Sequence, residues 1–439
     1  MITPIPPQPF KILFLALACL VLASPLYAQT AKKALDKSFA GKAEVHFQQN
    51  RGPLQILPST DGKIRIVTEM SVEAQSREEG DRFLAKMEAD FIESTNRLEI
   101  KIGSGKIRNW TMNNNNSRVT FQDGSKFRNI HNFKMNSTLY LPATEMLSLE
   151  TRFERVRIEP QVELNNLKLE LHNVDLTGGD VKGNLEFDAR FGKIELGNVD
   201  GELRGVLHNV RFEIGDAGNV RLDTRFSEIE MGKINALEVE SHNDRVEVVS
   251  VSGELDIHDR FGTYIIGTTV NGEIETHNGT FEIEKGGDYE VNSRFGNFEF
   301  NTLDQLDLQD NHNAEYEIKR LRNVEGDGRF TTIDVEVLTG EADLELGNGK
   351  LRVDDVTKDF KGVEVEGSFF EVDLEFASPV DYHVQANMQF GSVHPPKDII
   401  TVIDRKEHSH LEMELKTANA TASSPIIKVR GNNGKLYLD

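Results

Sequence analysis

From residue 131 to 391, apolar and polar residues alternate in short bursts, and each burst follows one of two dipeptides. Arg-Phe stands at 152–153, 190–191, 225–226, 260–261, 294–295 and 329–330, while His-Asn stands at 131–132, 172–173, 208–209, 242–243, 277–278 and 312–313. The second members of these pairs form one series: Asn173, Phe191, Asn209, Phe226, Asn243, Phe261, Asn278, Phe295, Asn313 and Phe330. Successive markers, with Asn348 next after Phe330, lie about 17 or 18 residues apart, and Phe369 and Phe390 continue the series more loosely. The third and fifth positions after each marker are apolar, as with Ile194 and Leu196 after Phe191, Phe212 and Ile214 after Asn209, and Val246 and Val248 after Asn243. Glu, Lys and Arg fill the places between.

Alternation of period two predicts half-buried strands with one wet face. Each burst ends at a turn former, as at Gly197-Asn198, Gly215-Asp216, Gly232, Gly267 and Gly340, where glycine would accept a positive φ without strain. A second apolar alternation follows each turn, as with Leu203 and Val206, Val220 and Leu222, Leu237 and Val239, and Leu255 and Ile257. Two brief strands and two bends per unit predict an all-β fold, a parallel β-solenoid of coils of 17–18 residues. A wider coil of about 35 residues is the alternative. It would stack Arg190, Arg225, Arg260, Arg294 and Arg329 on one another about 5 Å apart, so like charges favour the narrow coil. In that coil Phe is expected to point inward and the preceding Arg outward, its stem over apolar surface and its head near the next rung's carboxylates.

The sequence divides into a signal peptide (1–28), an N-terminal α+β cap module (29–129), the repeat domain (130–378) and a C-terminal β cap (379–439). Strands are expected at 43–47, 54–57 and 64–71, followed by a helix from Ser76 to about Ile92. Ser76 and Glu79 make a capping box, and Phe83, Met87 and Phe91 share a helical face. The run from Asn113 to Asn116 reads as a polar loop. Segments 426–429 and 436–438, turned at Gly431-Asn432-Asn433-Gly434, are expected to close the far end of the stack, whose raw edge would otherwise pair with other chains.

Lys11 before the apolar run Ile12 to Ala23, with a cleavage point at Ala28-Gln29, reads as an export signal, so periplasm or cell surface is expected. No later stretch is long and apolar enough to be a transmembrane segment. Cys19 is the one cysteine, so after cleavage no disulfide, thiol nucleophile or thiolate metal site is available. A formal net charge of −22 argues against nucleic acid as a partner and reads first as solubility.

The chain resembles a family of exported bacterial adhesin-like proteins built from β-strand repeats and related to the head-domain type of adhesin. The resemblance rests on Asn50-Arg51-Gly52-Pro53-Leu54 in an early strand, a helix after the third strand, Leu139-Tyr140-Leu141-Pro142 leading into the repeats, the Arg-Phe-Gly units, and the closing Gly-Asn-Asn-Gly-Lys-Leu-Tyr-Leu. It implies a noncatalytic, right-handed parallel β-solenoid in the cell envelope and names no ligand.

Candidate chemistry is sparse. In the narrow coil His172, His208, His242, His277 and His312 lie two rungs apart, about 9.6 Å, too far to share a zinc ion. The asparagines are expected to bond neighbouring backbone, as turn asparagines do. Gly178-Gly179-Asp180 and Gly286-Gly287-Asp288 resemble calcium-binding turns but lack the nine-residue pattern. Polysaccharide lyases and hydrolases also use parallel β-helices, but they concentrate carboxylates at one irregular place. Here Glu195, Glu213, Glu228, Glu230 and Glu247 are spread along strands beside Lys or Arg, as solvated faces are. The expectation is therefore a noncatalytic surface protein without cofactor or metal, binding an unknown envelope protein or surface glycan through many weak contacts. A periplasmic structural or stress-associated scaffold is the alternative, and a polysaccharide-active enzyme the second.

Overall fold

The computed structural model describes residues 28–103, 107–113, 116–377 and 379–439. The segment read as an export signal lies outside them, apart from Ala28. The repeat region is a parallel β-solenoid with coils of about 18 residues, so the narrow coil is the right one. Its register is regular: Leu169 pairs with Phe187, Phe187 with Gly205, and Leu207 with Thr224. Arg190 follows His172 on the next rung, and His208 follows Arg190. Arginine and histidine thus alternate in this column, so within it no guanidinium stacks on another.

The third and fifth positions after the markers are buried along the stack, from Ile194 and Phe212 to Ile333 and Leu351. Tyr264, Phe281, Phe298 and Tyr316 form a column of stacked rings with centroids 4.9, 5.1 and 4.7 Å apart and planes within 8°. Adjacent rungs of a parallel sheet bring identical positions to this spacing, so like residues stack face to face. In the second alternation Leu203, Val220, Leu222, Leu237, Val239, Leu255 and Ile257 are buried. Val206 is instead exposed, and Leu207 takes the inward place.

The turn glycines serve another purpose than expected. Gly197, Gly215, Gly232, Gly267 and Gly340 do not have positive φ. A Cβ on Gly197 would lie 2.1 Å from Asp180 Oδ1, on Gly215 2.3 Å from Asn198 Oδ1, and on Gly232 2.5 Å from Asp216 Oδ1. Those oxygens accept the backbone N–H of Asn198, Asp216 and Lys233 on the coil above, each at 2.8 Å. Glycine is required because a side-chain acceptor from the rung below occupies the space a side chain would fill. Asp180, in the Gly-Gly-Asp sequence that resembles a calcium turn, belongs to this ladder.

At the N-terminal end, strand Glu44–Gln49 lies parallel between Thr144–Ile158 and Arg97–Ile102, and Leu54–Pro58 pairs with Thr144–Ile158 and His131–Leu141. Antiparallel strands Gln29–Ala40 and Lys63–Ala74 extend this end, and helix Arg77–Lys86 packs on both. Ser76 caps the helix through Glu79 N–H, as the sequence predicts. The helix stops at Lys86, well short of Ile92, because Phe91 lies in strand Asp90–Glu93, paired with Arg97–Ile102 and packed on Phe39 at 5.1 Å. Ile107–Asn113 and Asn116–Phe121 form a hairpin, so Asn113 and Asn116 are paired strand residues, with 114 and 115 outside the described residues.

The other end corrects a second expectation. Strand Ile426–Asn432 pairs in parallel with Gly362–Ser368 on one side and His383–Gln389 on the other. Lys435–Leu438 sits likewise between Glu371–Leu374 and Ser392–His394. The last segment of the chain is therefore an inserted inner coil, with Ile427, Val429, Leu436 and Leu438 fully buried. The end is covered by the antiparallel hairpin Ile400–Glu407 and His410–Lys416, which pairs with His383–Gln389.

Candidate functional site

The markers lie along one corner of the solenoid, each in the left-handed region. Phe191, Phe226, Phe261, Phe295 and Phe330 have φ of 57, 54, 65, 60 and 55°, and Asn173, Asn209, Asn243, Asn278 and Asn313 have 54, 56, 59, 63 and 54°. An αL residue breaks the in/out alternation, so two successive side chains, the Arg or His and then the marker, both face solvent. The expectation that Phe points inward is therefore overturned. Phe191 is 43% exposed and Phe330 58%, with Phe226, Phe261 and Phe295 between them.

Backbone bonds fix the corner. Phe226 N–H donates to His242 C=O at 3.0 Å, Asn243 N–H to Arg260 C=O at 2.9 Å, and Phe261 N–H to His277 C=O at 3.0 Å; Phe295 and Asn313 continue the row. The order of corner residues in space is Phe153, Asn173 and onward to Asn348, Phe369, Asn433 and Phe390, because the inserted coil brings Asn433 between the last two. Phe and Asn thus alternate in space without a break, where in sequence Phe390 follows Phe369 directly. Asparagine tolerates αL well; a bulky aromatic there costs on the order of 1–2 kcal/mol. Eight phenylalanines, Phe153, Phe191, Phe226, Phe261, Phe295, Phe330, Phe369 and Phe390, adopt it. A strained conformation repeated at so many exposed rings points to a role beyond packing.

Between successive phenylalanines from Phe153 to Phe330 stands a histidine. The rings of Phe153, His172, Phe191, His208, Phe226, His242, Phe261, His277 and Phe295 form a herringbone, with centroids 5.4 to 6.2 Å apart and planes near 65°. The asparagines hold the histidines, correcting the expectation of backbone bonding. Nδ2 of Asn173, Asn209, Asn243 and Asn278 donates to Nδ1 of the preceding histidine at 2.6 to 2.7 Å, which leaves the proton on Nε2. His312 departs from the pattern and meets Asp310 at 3.0 Å.

Beside the ridge, between coils Asp223–Arg225 and Asp310, runs an open groove of about 940 Å³. Asp223, Glu240, Glu275 and Asp310 line it with Arg225, Arg260 and Arg294, together with His242, His258 and His277. Arg294 lies 4.0 Å from Asp310, and His258 lies 3.2 Å from Glu275. Among the described residues Arg225, Arg260 and Arg329 form no ion pair. On the strands beyond the markers the carboxylates are paired as the sequence suggests: Arg211 reaches Glu213, Glu228 and Glu230, and Arg245 reaches Glu247.

The interior behind the groove was not foreseen. Two carboxylates, Asp244 and Asp259, are each 4% exposed. Asp244 accepts from Ser227 N–H at 2.6 Å, Thr224 Oγ1 at 2.7 Å and His242 N–H at 2.8 Å. Asp259 accepts from Ser241 Oγ at 2.6 Å and from Gly262 N–H and Thr276 Oγ1 at 3.0 Å. Burial raises the Asp244 pKa above the ordinary carboxylate value, with the charge of Asp259 adding to it, while the three donors oppose it. Burial and the Asp259 charge hold the Tyr264 hydroxyl protonated, beside Ser241 Oγ at 2.5 Å. These groups tie the strained corner to the core from within. Among the described residues no group of three or more His, Cys, Asp and Glu side chains is placed to hold a metal ion.

No family model matches the chain, and no curated protein matches it. Solved structures do. They include a "putative cell adhesion protein" of Clostridium sporogenes (10% identity, 93% of this chain and 98% of that one, TM-score 0.15). A "putative adhesin" of Bacteroides fragilis (11%, 93% and 97%, TM-score 0.17) and a "putative lipid binding protein" of Parabacteroides distasonis (12%, 75% and 97%, TM-score 0.16) also match. At these identities and scores the likeness says nothing of what this chain binds.

Proposed function

We propose that this protein is a noncatalytic, adhesin-like protein of the cell envelope or surface that binds an extended partner along the aromatic corner. The observation that carries the reading is the row of half-exposed phenylalanines held in αL over the length of the stack. Fifteen corner residues from Phe153 to Phe390 at about 4.8 Å per rung make a ridge on the order of 65 Å long. Such a ridge offers the same small contact again and again, so weak contacts add along one partner. The buried carboxylates each have their donors, and the groove is open to solvent, which suits binding better than turnover.

Retention of the purified protein on bacterial envelope fractions tests this reading. Replacing Phe226, Phe261 and Phe295 by Asn, one after another, should weaken retention in steps. Unchanged retention in the triple variant would refute it, as would release of a cleaved product by the wild-type protein that is lost when a single groove carboxylate is changed. Protease shaving of intact cells should remove the protein if it stands on the surface.

A further inference from the structure

We infer that the corner and its groove take an uncharged polymer of β-1,4-linked hexopyranoses in its flat, two-fold ribbon form. The inference deepens the binding role proposed above and rests on it. Two features of the ridge point to this occupant.

The first is spacing. An exposed phenylalanine recurs at every second rung, about 9.6 Å, and an arginine accompanies it on the same coil from Arg152-Phe153 to Arg329-Phe330. A two-fold β-1,4 ribbon turns each sugar over relative to the last, so the same sugar face recurs once per disaccharide, a length close to two rungs of the stack. Each ring can then rest against an equivalent C–H face, with the intervening sugar over the His-Asn coil. An α-1,4-linked chain curls and loses this register after a few sugars.

The second is charge. The groove sets five carboxylates, Asp223, Glu240, Glu275, Asp310 and the nearly buried Asp259 in its floor, among three guanidinium groups, Arg225, Arg260 and Arg294. A polyanion would be placed against carboxylates and a polycation against guanidinium groups, at a cost in either case. A polyhydroxylated neutral chain gains from both, since each hydroxyl donates to a carboxylate and accepts from a guanidinium or from the Nε2–H of a histidine. The herringbone contacts and the Asn–His bonds hold the phenylalanine and histidine rings in place before any ligand arrives.

The test is calorimetric titration of the purified protein with cellohexaose and chitohexaose, with maltohexaose and a hexauronate as comparators. A β-1,4-linked neutral hexamer should bind, and its affinity should rise from di- to tetra- to hexasaccharide. Phe261→Asn, which installs the residue the fold itself uses at neighbouring corners, should weaken binding roughly two- to tenfold and leave the melting temperature nearly unchanged, and Phe226→Asn should add to the loss. No binding of either β-1,4 hexamer, or equal binding of maltohexaose or the hexauronate, overturns the ligand assignment. If envelope retention still falls with the Phe→Asn series in that event, the ridge stands and only its ligand is wrong. If retention does not respond either, the ridge reading falls with it.

Discussion

Phe295 and Phe298 are three residues apart, and replacing each by alanine should have very different consequences. Phe298 is 1% exposed and stacked between Phe281 at 5.1 Å and Tyr316 at 4.7 Å. Removing a fully buried phenylalanine typically costs about 3–5 kcal/mol, and the loss of two ring contacts places Phe298→Ala at the upper end. Phe295 is 50% exposed. If a buried phenylalanine covers roughly 200 Å², about half of that remains covered here, so truncation costs at most about 2.5 kcal/mol at 25 cal/mol/Å². The area reference overstates burial, which brings the expected cost to about 1–2 kcal/mol. Equilibrium urea unfolding followed by far-UV circular dichroism reads both, with the slope m checked for constancy because a repeat protein can unfold in parts. Equal losses from the two substitutions, or a larger loss from Phe295→Ala, would refute the assignment of Phe298 to the core and Phe295 to the corner.

Three further outcomes follow from the geometry. The Asp244 pKa is raised in the folded state, so its contribution to stability is complete below the unfolded pKa and is lost as pH rises through the folded one; the stability of wild type relative to Asp244→Asn should therefore increase on acidification from neutral pH, and a difference flat with pH would exclude a buried titrating carboxyl. Truncation after Ser424 removes the inserted coil and unpairs Gly362–Ser368 from Ile426–Asn432, so hydrogen exchange should accelerate in 362–374 and 383–394, and a peptide of residues 425–439 should restore protection; exchange unchanged by truncation would contradict the insertion. Because Asn Nδ2 donates to His Nδ1, ¹⁵N NMR at about pH 8 should show His172, His208, His242 and His277 as Nε2–H tautomers, and Nδ1–H signals would rule the bonds out.

The narrow coil was legible because strand alternation and the Arg column each constrained it, and the apolar positions after the markers, such as Ile229 and Phe281, are indeed the core. Hydrophobicity alone points a phenylalanine inward, whereas the markers face solvent. Parity would have corrected this: residues three and five places on face inward, so the marker itself faces outward. The exchange of Phe for Asn at equivalent places says the same, since asparagine finds no partner in an aliphatic core but is at ease in αL. The buried column Thr224, Ser241, Asp259, Thr276 and Ser293 stands at inward positions too, but its composition hides it, because carboxylates and hydroxyls are usually outside. Strand Gln29–Ala40 gave almost no signal, with only Ala31 buried. The inserted coil could not be read locally, because pairing between 362–368 and 426–432 depends on contacts far apart in the chain.

The central claim is that the markers stand in one line, one rung of about 4.8 Å per coil. With Cys19 replaced by alanine, spin labels at Asn173→Cys with Asn243→Cys, four rungs apart, and at Asn173→Cys with Asn313→Cys, eight rungs apart, read that line by double electron–electron resonance. The expected distances are about 19 and about 38 Å, broadened by the label tethers, so the second is twice the first. Two similar distances, or a second shorter than the first, would contradict the stack and the ridge together.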